Sequence, residues 1–406
     1  MIYKIHAHNA PLTGAISLSA SKSESNRVLI MDALSGGHSL HNLSDARDTE
    51  TMQRLLASRP EVWDVLDAGT TMRFCSALLG VIGTGQTITG TERMQQRPIK
   101  LLVDALRALG AEISYLGNEG YPPLQIEGIK DQKIDQIEIP GNVSSQYISA
   151  LLMIAPVLPK GLKIQLVGEV YSRPYITMTL GLMSHFGIQS SWSQGNLISI
   201  NPQSYQPNSY TVESDWSGAS YWYSMVALQP GSKLLLKGLR AKSYQGDQEI
   251  AQIMNKLGVS TRYTDEGAEL THTGNPDKHI EIDFRTCPDL AQTVMVTAAM
   301  LGSELSMIGL ESLKIKETDR IAAMAAELQK IGGRLTEDEN QWIMTPGFVP
   351  GEIATIETYE DHRMAMAFAP IAMISDITID DPMVVKKSYP GFWDHLKSVG
   401  IRIDSM

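Results

Sequence analysis

Two kinds of helix alternate along the chain, and both are recognisable from the spacing of their apolar residues. The first kind is apolar on nearly every face and follows a lead-in of small or polar residues, such as Ser-Glu-Ser-Asn-Arg at 23–27. A helix without a polar face is typical of a protein interior. Six segments have this pattern: 28–34, 74–82, 148–158, 222–228, 293–301 and 364–374.

The second kind of helix is amphipathic and ends immediately before a glycine, which commonly stops a helix because it tolerates left-handed backbone. Five glycines have this position: Gly110, Gly187, Gly258, Gly332 and Gly400. Both helix types return about every seventy residues, so the pattern predicts six βα repeats with short strands. The first repeat is the shortest, and it has no glycine near its expected end at Ala57.

Composition narrows the class of protein. A chain of 406 residues with 43% hydrophobic residues can form two or more domains with substantial cores. The net charge of −11 argues against nucleic-acid and anionic-membrane partners, so an anion site must be a local basic cluster. Cys75 and Cys287 provide neither a disulfide framework nor metal-ligand spacing. We therefore expect buried thiols and no metal site formed by cysteines.

The chain also lacks the signals of export and membrane insertion. Residues 1–5 have no signal-peptide apolar core, and the longest clean apolar stretch, at 148–158, is too short to cross a membrane. We expect a cytoplasmic protein.

Basic residues gather where the apolar helices begin. Lys22 and Arg27 flank two serines, and this mixture of cations, hydroxyls and helix-start amides suits a phosphate monoester. Gly69 opens a turn where a ligand could approach the backbone closely. Arg97 precedes a proline suited to a first helical turn. Ordinary capping and surface charge are the alternatives at each place, and for Asp215 we favour capping.

The densest cluster is the run Lys-Ile-Lys-Glu-Thr-Asp-Arg that ends at Arg320, where an amphipathic helix begins. An anion could bind there, and a carboxylate lies beside a lysine, as an acid–base pair requires. The alternative is a solvated first turn with surface ion pairs. We assign Lys316, Glu317 and Arg320 to a site, and Lys314 and Asp319 to solvated or capping roles.

Other candidate residues lie in the fifth and sixth repeats. Asp289 precedes an apolar helix and could act as a general base, with capping as the alternative. Arg363 opens the next apolar helix, and Lys387 precedes the last amphipathic one. His362 is not expected to bind a metal, because no second histidine or cysteine has a matching spacing. The total positive charge near helix starts predicts two anionic ligands, at least one with both a phosphate and a carboxylate.

These segments resemble, in order, the EPSP synthase family of enolpyruvyl transferases. The similarity runs from about residue 11 to about residue 400, through SKSESNR, DAGTTMR, GNVSSQYISALLM, KETDRIAAMAAELQKIGG, DHRMAMAFAPIA and KKSYPGF. It implies an α/β fold of two similar domains, each of three βα repeats, arranged as an inside-out α/β barrel. One domain, 1–20 with 213–406, would serve phosphoenolpyruvate and acid–base chemistry. The other, 21–212, would hold shikimate 3-phosphate.

The reaction implied by the resemblance transfers the enolpyruvyl group of phosphoenolpyruvate to the 5-hydroxyl of shikimate 3-phosphate and releases phosphate. The enzyme would be a monomer that closes over small-molecule substrates and uses no cofactor. Asp289 would take the hydroxyl proton. Glu317, Lys316 and Lys22 would deliver a proton to the methylene carbon or stabilise charge, and the choice between Glu317 and Lys22 as proton donor stays open.

The resemblance also implies two sets of ligand contacts. Shikimate 3-phosphate would be bound by Lys22, Ser23, Arg27, Ser144, Ser145, Gln146, Ser172, Tyr175, Asp289 and Lys316. Phosphoenolpyruvate would be bound by Lys22, Gly69, Arg97, Gln146, Arg320, Arg363 and Lys387.

Three residues depart from the family pattern, which has asparagine at Asp67, alanine at Thr71 and asparagine at Ser312. A larger group beside Gly69 could crowd the phosphoenolpyruvate site, and the substrate contact is not carried over to Ser312. The shortened first repeat lacks a stretch after Leu56 that packs on the outer face in the family, so we expect activity to survive.

Two alternative functions remain at this point. The sister enolpyruvyl transferase acting on UDP-N-acetylglucosamine carries a reactive cysteine in a loop that corresponds to residues 90–96, where this chain has none. The serine pair beginning at Ser144 also favours shikimate 3-phosphate. A non-catalytic sugar-phosphate-binding protein is disfavoured by the presence of Lys22, Asp289 and Glu317.

Overall fold

The computed structural model describes residues 1–37, 39–171, 173–315, 318–339, 341–348 and 354–406. The chain divides into two compact units, one formed by Met1–Ser19 with Glu213–Met406 and the other by Ala20–Val212. The assignment of each unit to one substrate stays a prediction.

Helices and strands alternate throughout the described residues. The α-helices are α1 Lys22–Ser35, α2 Arg47–Ser58, α3 Gly69–Ile82, α4 Glu92–Gln95, α5 Lys100–Leu109, α6 Ser145–Ile154, α7 Arg173–His185, α8 Trp216–Leu228, α9 Ile250–Lys256, α10 Ala291–Leu301, α11 Arg320–Lys330, α12 His362–Phe368 and α13 Phe392–Ser398. Short 3-10 helices span Ala155–Val157, Gly246–Glu249, Pro288–Leu290, Glu311–Ile315, Ala369–Met373 and Pro382–Lys387.

The strands are short, as the repeats predict. They are β1 Ile2–Ile5, β2 Thr13–Ser17, β3 Ser39–His41, β4 Val62–Asp64, β5 Thr84–Thr89, β6 Glu112–Tyr115, β7 Leu124–Glu127, β8 Gln136–Pro140, β9 Leu162–Val167, β10 Ser191–Trp192, β11 Leu197–Ile200, β12 Ser209–Thr211, β13 Lys233–Lys237, β14 Val259–Tyr263, β15 Gly267–His272, β16 His279–Asp283, β17 Glu304–Ile308, β18 Arg334–Asp338, β19 Gln341–Thr345, β20 Ile377–Asp380 and β21 Ile403–Ser405.

The same four-stranded sheet recurs in both units. Unit 20–212 contains the sheets β4-β5-β7-β6 and β10-β11-β9-β8, and the other unit contains β14-β15-β13-β2 and β16-β17-β19-β18. Each of these sheets has one parallel pair of strands, and its other pairs are antiparallel. The four parallel pairs are β4 with β5, β8 with β9, β2 with β13, and β16 with β17. This recurrence confirms a mixed α/β fold built from repeats.

The helices that are apolar on every face form the interior of each unit. In α10, for example, every residue except the last, Leu301, is buried, and α6 and α8 are buried almost as completely. Each unit has its own continuous apolar core. Their polar lead-ins differ in accessibility, because Lys22, Ser23 and Gln146 are half-buried whereas Glu24, Ser25 and Asn26 are buried.

The amphipathic helices end as predicted. The glycines at 110, 187, 258, 332 and 400 all have left-handed backbone, with φ between 84° and 117°. In the shortened first repeat, α2 ends at Ser58, and the exposed Arg59 adopts the left-handed conformation with φ 42°. A side-chain-bearing residue in that conformation costs about 1 kcal/mol relative to glycine, so this repeat retains the helix stop without the residue best suited to it.

Both thiols are where the sequence predicts them. Cys75 and Cys287 are free and buried, and burial raises the pKa of each thiol above its usual value. Among the helices that the structure describes, none combines the length and the apolar character that crossing a membrane would require.

Candidate functional site

In unit 20–212, α1 begins with a capped and charged turn. The Ser21 side chain accepts a hydrogen bond from the backbone N–H of Glu24, which caps the helix. Lys22, the first helical residue, pairs with Asp48 of α2 at 3.2 Å, and the Lys22 side chain is 20% exposed. Lys22 is thus held near the helix N-terminus by a carboxylate, and part of its side chain remains accessible to a ligand.

Arg27 is held more rigidly than its sequence context suggests. Its Nε donates to Thr179 Oγ1 at 2.7 Å, its Nη2 to Ser149 Oγ at 3.1 Å and its Nη1 to the Ser23 carbonyl at 2.8 Å. Burial lowers the pKa of Arg27 to about 10, partly opposed by the Tyr175 hydroxyl, so the guanidinium stays charged at neutral pH. Helices α1, α6 and α7 therefore surround a fixed positive charge.

The start of α3 brings Gly69 and Arg97 together. A Cβ atom on Gly69 would lie 2.6 Å from Arg97 Nη1, so the guanidinium occupies the space that a side chain would need. Arg73 braces this arrangement, because its Nη1 donates to the Gly69 carbonyl at 2.9 Å and its Nη2 to the Pro98 carbonyl at 3.3 Å. The absence of a side chain at Gly69 allows the guanidinium to approach the backbone this closely.

The start of α6 adds a third member to this cluster. Ser144 caps α6 by accepting from the Gln146 backbone N–H at 3.4 Å, and the Gln146 side chain donates to Thr70 Oγ1 at 3.1 Å. Thr70 follows Gly69 in α3, so Gln146 lies beside the Gly69 turn. Ser145 is buried at the first position of α6. Residues predicted from separate repeats are thus neighbours.

Two departures from the family pattern have structural partners. Thr71 is fully buried, and its hydroxyl donates to the Asp48 carbonyl at 3.1 Å. Asp67 accepts from Arg47 Nη2, with its Oδ2 at 2.6 Å. The Thr71 hydroxyl therefore serves the contact between α2 and α3, and the Asp67 charge is balanced by an arginine.

In the unit that contains residues 213–406, Asp289 lies between two arginines. Arg320 Nη1 is 3.0 Å from Asp289 Oδ1, and Arg363 Nη2 is 3.1 Å from Asp289 Oδ2. Arg363 Nη1 also donates to the Asp289 carbonyl at 3.0 Å. The 3-10 helix Pro288–Leu290 has no side-chain cap. The described contacts of the Asp289 carboxylate include ion pairs with Arg320 and Arg363.

A second carboxylate fixes the same arginines. Arg320 is 1% exposed, and its Nε lies 2.6 Å from Asp361 Oδ2. Asp361 also caps α12, accepting from the Arg363 backbone N–H at 2.9 Å. Buried ion pairs with this geometry hold each guanidinium in one orientation. The Arg320 and Arg363 side chains are 2% and 11% exposed, and both guanidinium groups lie against Asp289.

The turn before α12 is strained. Tyr359 and Glu360 both have left-handed backbone, with φ 53° and 56°. The Tyr359 hydroxyl donates to the buried Glu327 at 2.8 Å, and the Glu360 carbonyl accepts from Lys387 Nζ at 3.1 Å. Strained turns that surrounding contacts hold in place are common at functional sites. This turn positions both the Lys387 ammonium and the first residues of α12.

The described part of the run before α11 divides as predicted. Lys314 is exposed and pairs with Glu337 at 2.8 Å, and Asp319 caps α11 by accepting from the backbone N–H groups of Ile321 and Ala322. Asp215 also caps a helix, accepting from the Gly218 N–H at 2.8 Å. Three predicted site residues, Ser172, Lys316 and Glu317, lie outside the described residues. Ser312 is half-buried in the 3-10 helix Glu311–Ile315.

The sequence provides no signal for two groups that the structure places beside Asp289. Asp247 and Ser217 share a very short hydrogen bond, and Ser217 Oγ accepts from Arg363 Nη2 at 3.4 Å. Burial, followed by the charge of Asp289, raises the pKa of Asp247 to about 7. Asp247 lies in a Gln-Gly-Asp turn without neighbouring cations, so its role depends on contacts distant in sequence.

Metal ligation has no support in the part of the chain that the structure describes, where no three His, Cys, Asp or Glu side chains are grouped to hold an ion. The groups that are assembled, guanidinium, ammonium, amide and hydroxyl, are instead donors suited to phosphate and carboxylate oxygens. A carboxylate set between two arginines can serve as a base once an anion competes for those arginines.

Comparisons with known proteins find relatives over most of the chain. The family model described as EPSP synthase (3-phosphoshikimate 1-carboxyvinyltransferase) matches residues 53–396. A relative from Bacteroides fragilis (strain YCH46), named 3-phosphoshikimate 1-carboxyvinyltransferase, is 51% identical over 396 residues, covering 97% of this chain and 96% of the relative. A protein of the same name from Pseudoalteromonas atlantica is 36% identical and covers 96% of each chain.

Solved structures support the fold independently of close sequence similarity. The EPSP synthase of Acinetobacter baumannii matches with a TM-score of 0.82 at 21% identity and covers all of both chains. Such a likeness at low identity confirms the α/β fold and carries no information about residue roles. Because the family model spans most of the sequence and full-length relatives exceed half identity, the chain belongs to the EPSP synthase family.

Proposed function

We propose that this chain is a 3-phosphoshikimate 1-carboxyvinyltransferase of the shikimate pathway, which leads to chorismate and the aromatic amino acids. It transfers the enolpyruvyl group of phosphoenolpyruvate to the 5-hydroxyl of shikimate 3-phosphate and releases phosphate. The observation that best supports this function is the position of the Asp289 carboxylate, whose oxygens lie 3.0 Å from Arg320 Nη1 and 3.1 Å from Arg363 Nη2. This arrangement supplies a base and, beside it, two cations for an anionic second substrate.

The first step is an addition. Bound phosphoenolpyruvate competes with Asp289 for the two arginines, which frees the carboxylate to take the proton of the 5-hydroxyl. The hydroxyl oxygen bonds to the carbon that bears the phosphate, while the neighbouring methylene carbon gains a proton. Glu317 or Lys22 is the donor of that proton, with Lys316 close in sequence. The tetrahedral product contains both substrates. At this stage Asp289 has gained one proton, and the donor, Glu317 or Lys22, has lost one.

The second step is an elimination. The new methyl group returns a proton to the donor, and the double bond of the enolpyruvyl group re-forms as the carbon–oxygen bond to phosphate breaks. The proton that Asp289 took from the 5-hydroxyl passes to the departing phosphate, so both acid–base groups return to their starting states. Phosphate leaves more easily beside guanidinium and ammonium groups, which stabilise its growing negative charge. Arg320, Arg363, Lys387, Arg97 and Lys22 are the predicted residues that would supply this support.

The other predicted ligand contacts are assigned by unit. Unit 20–212 would bind shikimate 3-phosphate through Lys22, Ser23, Arg27, Ser144, Ser145, Gln146, Ser172 and Tyr175. The arrangement of Gly69, Arg97 and Gln146 around one turn supports an additional contact with phosphoenolpyruvate from this unit. Asp289 and Lys316 are also predicted contacts of shikimate 3-phosphate.

A phosphate-release assay tests the function. The wild-type chain mixed with shikimate 3-phosphate and phosphoenolpyruvate should release inorganic phosphate, and Asp289→Asn should lower kcat by roughly a hundredfold or more, as loss of a general base does. Asp283→Asn is the matched control, because Asp283 is an exposed aspartate of the same unit paired with Arg285, and it should leave kcat unchanged. Equal turnover in both variants would remove Asp289 from its role.

The same assay separates the alternatives. Phosphate release with UDP-N-acetylglucosamine, and none with shikimate 3-phosphate, would identify the sister activity, which the burial of both cysteines disfavours. Calorimetric binding of both substrates without phosphate release would identify a non-catalytic binding protein. We further propose that the protein is a cytoplasmic monomer without nucleic-acid partners. Light scattering of the purified chain measures its oligomeric state directly.

A further inference from the structure

Asp247 is a buried carboxyl group that the proposed reaction does not use. It lies in the 3-10 helix Gly246–Glu249 and is 5% exposed. One carboxyl oxygen shares the very short hydrogen bond with the Ser217 hydroxyl, and the other, Oδ1, is buried without a hydrogen-bond partner among the described residues. Burying an ionised carboxylate with half of its hydrogen bonds unmade is unfavourable, so this environment favours the neutral acid.

A single hydroxyl separates Asp247 from the predicted phosphoenolpyruvate contact Arg363. Ser217, the second residue of α8, accepts from Arg363 Nη2 at 3.4 Å. The same nitrogen is 3.1 Å from Asp289 Oδ2. The Arg363 guanidinium is therefore shared between the Asp289 carboxylate and the Ser217–Asp247 pair, and an added charge on Asp247 changes that balance.

The groups around Asp247 make its charge state sensitive to a bound anion. Carboxylates of Asp289, from Pro288–Leu290, and of Asp215, which caps α8, oppose its ionisation, whereas Arg363 and the Ser217 hydroxyl favour it. Glu249 ends the same 3-10 helix. Burial, and after it the charges of Asp247 and Glu249, raise the pKa of the Cys287 thiol. Helix α9 contributes only the exposed lysine in its last turn.

We propose that Asp247 is a positioning residue that sets the affinity for phosphoenolpyruvate through Ser217 and Arg363. In the neutral state, Asp247 leaves the guanidinium available to the incoming anion. In the ionised state, it draws Arg363 towards Ser217 and adds a negative charge near the ligand. By reciprocity, binding the anion favours proton uptake by Asp247. This inference rests on the proposed function, in which Arg363 binds phosphoenolpyruvate.

The test compares the pH dependence of KM for phosphoenolpyruvate in wild type and Asp247→Asn, which keeps a partner for Ser217 but cannot ionise. Between pH 6 and pH 8.5 the wild-type KM should rise roughly tenfold relative to the variant, as expected for one added charge within several ångströms of an anion. The ionisations of the ligand itself are common to both proteins and cancel in the ratio. The kcat ratio should change less than the KM ratio.

Two further variants separate positioning from a purely structural role. Ser217→Ala removes both the hydroxyl that stabilises the ionised acid and the link to Arg363, so the rise in KM should move to higher pH and become smaller. Glu249→Gln makes the same chemical change two residues away, and its profile should follow that of wild type. Parallel profiles for wild type and Asp247→Asn would overturn the inference, even if both have reduced affinity.

Calorimetry keeps this inference distinguishable from the proposed function. Phosphoenolpyruvate is titrated into the chain with shikimate 3-phosphate present, at pH 7, in two buffers of different ionisation enthalpy. Wild type should take up more protons on binding than Asp247→Asn, and equal uptake would overturn the inference. A wild-type chain that binds both substrates without releasing phosphate would overturn only the proposed function. A chain that binds neither would overturn both.

Discussion

The close contact between Gly69 and Arg97 shows how one residue without a side chain can shape an anion site. The Arg97 guanidinium occupies the position where a methyl group would lie, and Arg73 holds the carbonyls of Gly69 and Pro98 on either side. Arg97 thereby lies against the backbone at the start of α3, where N–H groups can share an anion with it. Neither residue alone has this property.

Gly69→Ala should weaken phosphoenolpyruvate binding and leave the fold intact. The new methyl group would meet the far end of a flexible arginine, so Arg97 can move, but it then leaves its position over the turn. Loss of one hydrogen bond to a charged group corresponds to about a ten- to hundredfold rise in KM for phosphoenolpyruvate. The KM for shikimate 3-phosphate should change little. Steady-state kinetics measure both constants.

The control for this variant is Gly195→Ala, in the same unit, where a Cβ would meet only Ser193 Oγ at 3.9 Å. It should match wild type in both constants. An unchanged KM for phosphoenolpyruvate in Gly69→Ala would show that the Arg97 contact does not contribute to binding.

At the scale of elements, the first turn of α2 links the starts of α1 and α3 through alternating charges. Asp48 pairs with Lys22 at 3.2 Å, and Arg47 holds Asp67 with an oxygen at 2.6 Å. Asp67 precedes Gly69 by two residues, so its carboxylate would repel an anion bound at that turn. Arg47 offsets this charge, and the pair makes the departure from asparagine at position 67 electrostatically neutral.

For the Arg47–Asp67 pair we predict that a double-mutant cycle will show compensation, with the second substitution reversing the effect of the first on KM. Arg47→Ala should raise KM for phosphoenolpyruvate by about two- to fivefold, a range that reflects the 45% exposure of the Arg47 side chain. Adding Asp67→Asn to that variant should restore KM, because the unbalanced charge is gone. The effect should shrink in 0.5 M salt. Equal KM values in the single and double variants would rule out electrostatic compensation.

Elements with strong local patterns could be predicted from the sequence, and those that depend on distant partners could not. The buried helices and the glycine stops follow from apolar spacing and backbone freedom. The left-handed Arg59 was not predictable, because the packing of the shortened repeat overrides the preference of the residue. The same limit applies to Thr71, whose hydroxyl has a structural partner in α2 that its sequence context does not indicate.

At the scale of the whole molecule, the sequence predicts which cations belong to the site, but not how their charges are balanced. Arg320 and Arg363 stand out as basic residues at helix starts. Their counter-ion arrangement, with Asp289 shared and Asp361 buried, arises only when residues from different repeats meet. Asp247 is the clearest omission, because nothing in its turn distinguishes it from a surface aspartate. Burial and the approach of Ser217 give it a distinct chemistry.

The buried Asp247 should make the stability of its unit fall as the pH rises. Burial raises its folded-state pKa from 3.8 to about 7, so between these values the folded chain keeps a proton that the unfolded chain has lost. Stability contributed by this proton is fully present below the unfolded pKa and is lost as the pH rises through the folded one. Asp247→Asn should therefore be stabilised relative to wild type more at pH 8 than at pH 5, by about 2–3 kcal/mol.

Urea unfolding followed by tryptophan fluorescence measures this difference, because Trp216, Trp222, Trp342 and Trp393 all belong to the unit that contains Asp247. Glu249→Gln is the control, and its stability relative to wild type should not depend on pH over the same range. If Asp247→Asn is equally destabilised at both pH values, then Asp247 is ionised throughout. In that case the Arg363 guanidinium and the Ser217 hydroxyl would stabilise a buried carboxylate, and the group of charges around Asp289 would carry one more negative charge than the neutral acid gives it.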